Sequence, residues 1–149
     1  MAQQQYGFTK KKKSTDLALF THIENITENI ERNNAAVGVY LDLAKAFDTV
    51  NHEILINKLE GMGIQRLLLG WLTSYMNKRE QSVKINDRVS PKLEVKHGVP
   101  QGSVLGPLLF VIYINDIFQL LMKGKIMVYA DDTSLLYSGN SAEKINADF

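Results

Sequence analysis

The sequence contains no cysteine, and none of its apolar runs is long. Without cysteine, neither a disulfide framework nor a thiolate metal site can form, and the composition suits a reducing compartment. The longest apolar run, around Leu108 to Ile114, falls far short of the roughly 20 residues that a membrane span requires. The residues after Met1 have no apolar stretch typical of a signal peptide. We therefore expect an intracellular protein, nuclear or cytoplasmic, with no membrane partner.

The net charge is also small, because 17 basic side chains nearly balance 16 acidic ones and leave a formal charge of +1. Bulk electrostatics therefore do not indicate a nucleic-acid-binding protein. The local exception is a basic run formed by Lys10, Lys11, Lys12 and Lys13. This run could neutralise phosphate and release counterions, form a solvated loop, or mimic a nuclear localisation signal.

Two adjacent carboxylates, Asp131 and Asp132, lie between the apolar stretches 126–128 and 135–137. Turn-forming residues between two such stretches indicate a β-hairpin, here with an acidic tip. Adjacent like charges repel each other unless a cation lies nearby. Oxygen ligands favour a hard cation such as Mg²⁺, with Mn²⁺ as an alternative. Taken alone, an Asp-Asp pair is more often a turn or a solvated corner.

A third carboxylate, Asp42, ends the apolar run 37–41, which is rich in residues typical of strands. Such an aspartate is often only the N-cap of a following helix. If Asp42 instead meets the acidic hairpin on a neighbouring strand, three carboxylates converge. That charge could hold two divalent ions about 3.5–4 Å apart, as in phosphoryl or nucleotidyl transfer.

Hydrophobic periodicity and turn residues indicate the remaining elements. We expect helices at about 14–32, 51–60, 65–76 and 103–122, a hairpin pairing 81–85 with 92–96, and a last helix from Ser141. A chain of 149 residues is of single-domain size. The order of elements predicts an α+β fold, in which helices pack on one face of an antiparallel sheet.

Three segments resemble the reverse transcriptase domain of non-LTR (LINE-like) retrotransposons. They are the first acidic motif 40–48 (YLDLAKAFD), the glycine-rich motif 98–107 (GVPQGSVLGP) and the acidic hairpin 129–132 (YADD). The stretches 5–8 and 71–75 are also similar to the family, and all occur in the expected order and spacing. The resemblance implies a polymerase palm with part of the fingers, in which 1–35 is fingers-like, 36–149 is palm-like and the thumb is absent.

The resemblance also implies an RNA-directed DNA polymerase that uses an RNA template, a DNA primer and deoxynucleoside triphosphates. Asp42, Asp131 and Asp132 would be its catalytic and metal-binding residues. Phe47 would exclude a 2′-hydroxyl from the nucleotide site, although an aromatic residue is also a common core residue. Gln101 and Gly102 would contact nucleotide and template, although this stretch is also rich in turn residues. Asp48 is interpreted as structural, and His22, His52 and His97 show no ligand spacing.

The family's domains extend beyond this sequence, so we expect a fragment or a truncated element copy. The segment 9–13 is one residue longer than the family pattern and lacks its usual arginine, which bears on triphosphate contact. A second hypothesis is a catalytically inactive remnant or a co-opted nucleic-acid-binding module. A third is another palm-fold enzyme such as a nucleotide cyclase, which the glycine-rich motif argues against.

Overall fold

The computed structural model describes residues 4–8, 13–120, 124–141 and 145. The chain divides into two compact units: Met1–Ala44 with Ile114–Phe149, and Lys45–Tyr113. Two short 3₁₀ segments, Ala46–Asp48 and Asn115–Gln119, accompany the longer elements. In chain order, these are α1 (Thr15–Glu31), β1 (Ala35–Leu41), α2 (His52–Gly61), α3 (Arg66–Met76), β2 (Arg79–Gln81), β3 (Lys84–Ile85), β4 (Arg88–Val89), β5 (Leu93–Val95), α4 (Gly106–Ile114), β6 (Lys125–Tyr129) and β7 (Asp132–Gly139).

The first helix begins and ends where the sequence indicates. Ser14 is its N-cap, and the Ser14 hydroxyl accepts a hydrogen bond from the backbone N–H of Leu17 at 3.2 Å. Such a cap satisfies one of the amide donors left free in the first helical turn. The helix ends before Asn33, whose φ of 57° lies in the left-handed region. The predicted helix at 14–32 is therefore confirmed as α1.

The first unit contains a three-stranded antiparallel sheet in the order β1-β7-β6. The segment before α1 adds a short parallel bridge to the outer edge of β6, where the N–H of Tyr6 donates to the carbonyl of Val128 at 2.8 Å. Helix α1 contacts the sheet face that carries Tyr40, since His22 lies edge-on to the Tyr40 ring with 5.6 Å between centroids. The opposite face carries a buried apolar cluster, formed by Leu135, Tyr137 and Ile145 with Ala35, Val37, Val39 and Ile126.

The second unit packs helices α2, α3 and α4 with a long β-hairpin. Its larger buried apolar side chains are Val50, Leu55, Leu59, Leu72, Met76, Val99, Leu109, Phe110, Val111 and Ile112. The hairpin is paired in two steps, β2 with β5 and β3 with β4, around a turn at Asn86 and Asp87. The turn is therefore tighter than the sequence predicts, because 88–89 belong to the returning strand.

The long helix predicted at 103–122 is shorter in the structure. Gly102 has a φ of 73°, which is incompatible with helix, and the Ser103 hydroxyl accepts from the N–H of Gly106 at 2.9 Å. The α-helix therefore begins at Gly106, and after Ile114 it continues only as the 3₁₀ segment. Of the helix predicted from Ser141, the structure describes Ile145 as helical, and the other residues lie outside the described ranges. The α+β class is confirmed.

Of the helices that the structure describes, none combines the length and the hydrophobicity needed to cross a lipid bilayer.

Candidate functional site

Strand register brings two of the three candidate carboxylates to one end of the sheet. Leu41, the last residue of β1, pairs with Thr133 of β7. Continuing this antiparallel register by one residue places Asp42 opposite Asp132, and directly opposite residues point to the same face. That face also carries Tyr40 and is the one that α1 contacts. Both carboxylates line an open pocket of about 360 Å³, together with residues of α1.

The third carboxylate lies in the turn that joins β6 to β7. Tyr129 pairs with Asp132, so the turn consists of Ala130 and Asp131 alone. Ala130 has a φ of 57°, a conformation that two-residue hairpin turns require and that glycine adopts more easily than alanine. Asp131 is half-buried, whereas Asp42 and Asp132 are exposed. The predicted hairpin with an acidic tip is therefore present.

The segment before α1 packs closely against this turn. A Cβ placed on Gly7 would come within 2.5 Å of the backbone nitrogen of Ala130. The side chain of Gln5 is fully buried, and its Oε1 accepts from the N–H of Gly7 at 2.9 Å. Only glycine allows this approach of two backbones. The acidic turn is therefore supported by packing against residues more than 120 positions away in the chain.

The donor set suits a hard divalent cation in chemistry, because carboxylate oxygens are its preferred ligands. No described cationic side chain forms an ion pair with Asp42, Asp131 or Asp132. Within the described part of the chain, however, no group of three or more acidic or histidine side chains is close enough together to hold a metal ion. Asp42 and Asp132 share a face and a pocket, and Asp131 lies on the adjoining turn. The ligand types therefore suit a divalent cation, whereas the meeting of all three carboxylates at one ion stays a prediction.

The candidate nucleotide-binding residues belong to the second unit. Phe47 is half-buried and stacks on Phe110, with ring centroids 4.6 Å apart and planes inclined by 30°. Phe110 is itself only 2% exposed. One face of the Phe47 ring is therefore fixed by the core. Gln101 and Gly102 are exposed, and the space around the Cα of Gly102 is open.

The glycine-rich loop is tied to the segment that follows Phe47. The N–H of Gly98 donates to the carbonyl of Val50 at 2.8 Å, and the N–H of Val99 donates to the carbonyl of Phe47 at 2.8 Å. The buried ring of His52 donates from Nε2 to the carbonyl of Gly98 at 2.7 Å. Sequence reasoning missed this role of His52, because the partner is a backbone carbonyl 46 residues away.

Asp48, which the sequence analysis interprets as structural, makes a side-chain contact that the sequence did not indicate. Its Oδ1 accepts a hydrogen bond from Nε2 of Gln101 at 2.8 Å. The partners lie 53 residues apart, and no local pattern could have indicated the pair. The one indication of this contact in the sequence is that both residues lie in motifs that resemble the family.

The basic run is described in part. Lys13 is half-buried, donates to the backbone carbonyl of Gln5 at 3.1 Å and lies over the Tyr6 ring at 4.8 Å. Lys10, Lys11 and Lys12 lie outside the described residues. Phosphate contact by the run stays a prediction.

A family model described as "Reverse transcriptase (RNA-dependent DNA polymerase)" matches residues 1–147. Among individual proteins, the chain is 34% identical over 145 residues to the probable RNA-directed DNA polymerase from transposon BS of Drosophila melanogaster. It is 31% identical over 144 residues to the RNA-directed DNA polymerase from mobile element jockey of the same species. These alignments cover 91% and 92% of the chain, but only 16% of each relative.

Solved structures of telomerase share the fold. The chain resembles apo telomerase from Candida tropicalis with a TM-score of 0.66 and 14% identity, over 97% of this chain and 32% of that one. A telomerase from Candida albicans, solved with a fragment of telomeric RNA, gives a TM-score of 0.67 and 15% identity over 97% and 28% of the two chains. These likenesses support the predicted polymerase palm architecture.

Proposed function

Since this chain belongs to the reverse transcriptase family, with relatives in non-LTR retrotransposons, we propose that it supplies the catalytic palm of an RNA-directed DNA polymerase. The observation that carries the proposal is the register of β1 with β7, which, continued by one residue beyond Leu41, sets Asp42 opposite Asp132 beside the turn that holds Asp131. The chain spans about a sixth of its relatives' length, so the activity of the whole protein is part of the proposal.

Asp42, Asp131 and Asp132 are the residues that would hold divalent cations, Mg²⁺ or Mn²⁺. When bound, such ions lower the pKa of an attacking hydroxyl and neutralise charge on a leaving pyrophosphate. The chain itself supplies oxygen ligands on a paired strand and a tight turn, and such regular elements position ligands more precisely than long loops. The reaction would join a deoxynucleoside triphosphate to a primer 3′-hydroxyl on an RNA template.

Phe47, Gln101 and Gly102 would form the nucleotide-binding part of the protein. The stacking of Phe47 on Phe110 supports a rigid aromatic surface that could exclude a 2′-hydroxyl by its bulk. The exposure of Gln101 and the open space at Gly102 leave room for a ligand to approach the loop. Backbone without a side chain allows the closest approach of nucleotide or template.

The test compares Asp131→Asn and Asp42→Asn with the unaltered chain in two measurements. The first is Mn²⁺ binding to the chain, followed by electron paramagnetic resonance. The second is primer extension on a homopolymer RNA, by the chain and by a version that continues through the thumb. Asp16→Asn is the matched control, because Asp16 is an exposed carboxylate of the same unit, in the first turn of α1.

We expect each active-site substitution to weaken Mn²⁺ binding and extension at least tenfold, while the control keeps both. Unchanged extension by Asp131→Asn would contradict the assignment of the acidic turn. The second candidate function, an inactive remnant or nucleic-acid-binding module, predicts that the longer version binds primed RNA but extends it with neither Mg²⁺ nor Mn²⁺.

A further inference from the structure

The hydrogen bond between Asp48 and Gln101 joins the first acidic motif to the glycine-rich motif. We propose that Asp48 is a positioning residue, which fixes the side-chain amide of Gln101 so that its Oε1 accepts a hydrogen bond from the incoming nucleotide. This inference rests on the proposed nucleotide-binding role of Gln101. It gives Asp48 a part in substrate recognition without contact to the substrate.

The chemistry of the two groups sets the direction of the hydrogen bond. An ionised carboxylate can only accept, so Asp48 requires the amide nitrogen of Gln101 to face it. The oxygen of the same amide then points elsewhere and keeps its acceptor capacity. The ligand group that suits this acceptor is a donor, such as a hydroxyl of the sugar or an amino group of the base.

The backbones that carry the two side chains are held together independently of this hydrogen bond. Gly98 donates to Val50 and accepts from His52, so both polar groups of its backbone are engaged. A Cβ on Gly98 would come within 2.8 Å of the Cα of Asp48, which shows how closely the loop lies on this residue. Asp48 and Gln101 are themselves exposed. Since the loop is already fixed, the exposed pair is not required to hold it and is available to orient the amide.

A reciprocal exchange of the two side chains tests the role of the hydrogen bond. The full chain is titrated with a fluorescent deoxynucleoside triphosphate in the presence of Mn²⁺, and urea unfolding is measured on the same samples. Asp48→Ala frees the amide, and we expect about threefold to tenfold weaker nucleotide binding from the loss of one hydrogen bond. Gln101→Glu sets two carboxylates against each other, which repel at this distance, and we expect at least tenfold weaker binding.

The double variant Asp48→Asn with Gln101→Glu restores the hydrogen bond in the reverse direction. The amide at position 48 then donates to one carboxylate oxygen at position 101, and the other oxygen remains an acceptor for the nucleotide. We expect it to bind at least threefold tighter than Gln101→Glu alone. Asp87→Ala is the matched control, since Asp87 is an exposed carboxylate in a turn of the same unit, and it should leave nucleotide binding unchanged.

The outcomes separate the inference from the function on which it rests. Recovery of stability in the double variant without recovery of nucleotide affinity overturns the inference, because the pair is then merely structural. Nucleotide affinity that is insensitive to all these substitutions overturns it together with the nucleotide-binding role of Gln101, and leaves standing the function proposed for Asp42, Asp131 and Asp132. Failure of the unaltered chain to bind the triphosphate overturns both.

Discussion

Gly7 lies so close to Ala130 that a Cβ on Gly7 would come within 2.5 Å of the Ala130 backbone nitrogen. The substitution Gly7→Ala should therefore displace the acidic turn and lower the free energy of unfolding by about 1–3 kcal/mol, as overpacking does. Urea unfolding measures the loss, and hydrogen exchange at Ala130 and Asp131 reports whether it is local to the turn.

Gly70→Ala is the control for this substitution. Gly70 lies within α3, and a Cβ there meets nothing within 4 Å, so alanine should raise stability by about 0.5–1 kcal/mol through helix propensity. If Gly7→Ala leaves both stability and exchange at the turn unchanged, the segment before α1 does not support the acidic residues.

Gly98 and Gly63 share a φ of 88° but differ in their surroundings. A Cβ on Gly98 would meet backbone atoms of Asp48 and Phe47 within 3 Å, whereas one on Gly63 meets nothing within 4 Å. Gly63→Ala should therefore cost only the backbone strain, about 1–2 kcal/mol. Gly98→Ala should cost a further 1–3 kcal/mol, roughly, for the steric conflict.

Unfolding in urea compares the two alanine variants directly. Because the left-handed strain is common to both, the difference between their free energies of unfolding isolates the close approach of the glycine-rich loop to Asp48. Equal losses for the two would show that the loop can relax away from the first acidic motif.

His52 links the glycine-rich loop to α2 through its hydrogen bond to the Gly98 carbonyl. Replacing it with phenylalanine keeps an aromatic ring but leaves a carbonyl without its donor, which should cost about 1–3 kcal/mol of unfolding free energy. His52→Gln retains an N–H donor and should lose less. A phenylalanine variant as stable as the unaltered chain, by urea unfolding, would rule out a structural role for this hydrogen bond.

Phe47 combines a proposed role in sugar selection with a packing role against Phe110. We expect Phe47→Val, in the version that continues through the thumb, to increase incorporation of ribonucleotides relative to deoxyribonucleotides at least tenfold. The measurement is primer extension with each class of triphosphate supplied alone.

Phe110→Leu provides the matched control for the sugar-selection experiment. It removes the stacking partner, and about 1 kcal/mol of aromatic pairing with it, but leaves the Phe47 ring in place. We expect this variant to be less stable but to change sugar preference much less than Phe47→Val does, because the ring that would exclude the hydroxyl is still present. An unaltered preference in Phe47→Val would instead assign Phe47 to the core alone.

Local patterns in the sequence predicted much of the fold. The cap at Ser14, the strand before Asp42 and the hairpin around Asp131 all depend on neighbouring residues, and all three are present. The predicted start of the helix at position 103 was too early, because the loop residues before the observed start are also partly apolar. The left-handed φ of Gly102 and the cap by Ser103 decided its start instead.

The spatial arrangement of the candidate site was harder to predict from local patterns. The sequence identified the carboxylates, but their side-by-side placement follows from a register between strands about 90 residues apart. The hydrogen bonds of Asp48 and His52 cross similar intervals, 53 and 46 residues, and an aspartate or histidine taken alone does not reveal its partner. The division at 35 and 36 and the proposed ligand roles stay predictions.

Strand β1 pairs with β7 without a break, from Ala35 opposite Gly139 to Leu41 opposite Thr133. This pairing limits how the length of the sequence can vary. One residue inserted into β1 would turn Asp42 toward the reverse side of the sheet, since side chains alternate. Two inserted residues would recover the side but shift the carboxylate by about 7 Å along the strand. Related sequences that differ in length should therefore keep the interval from Ala35 to Asp42 constant, whereas an exposed turn such as that at Asn86 and Asp87 is free of this limit.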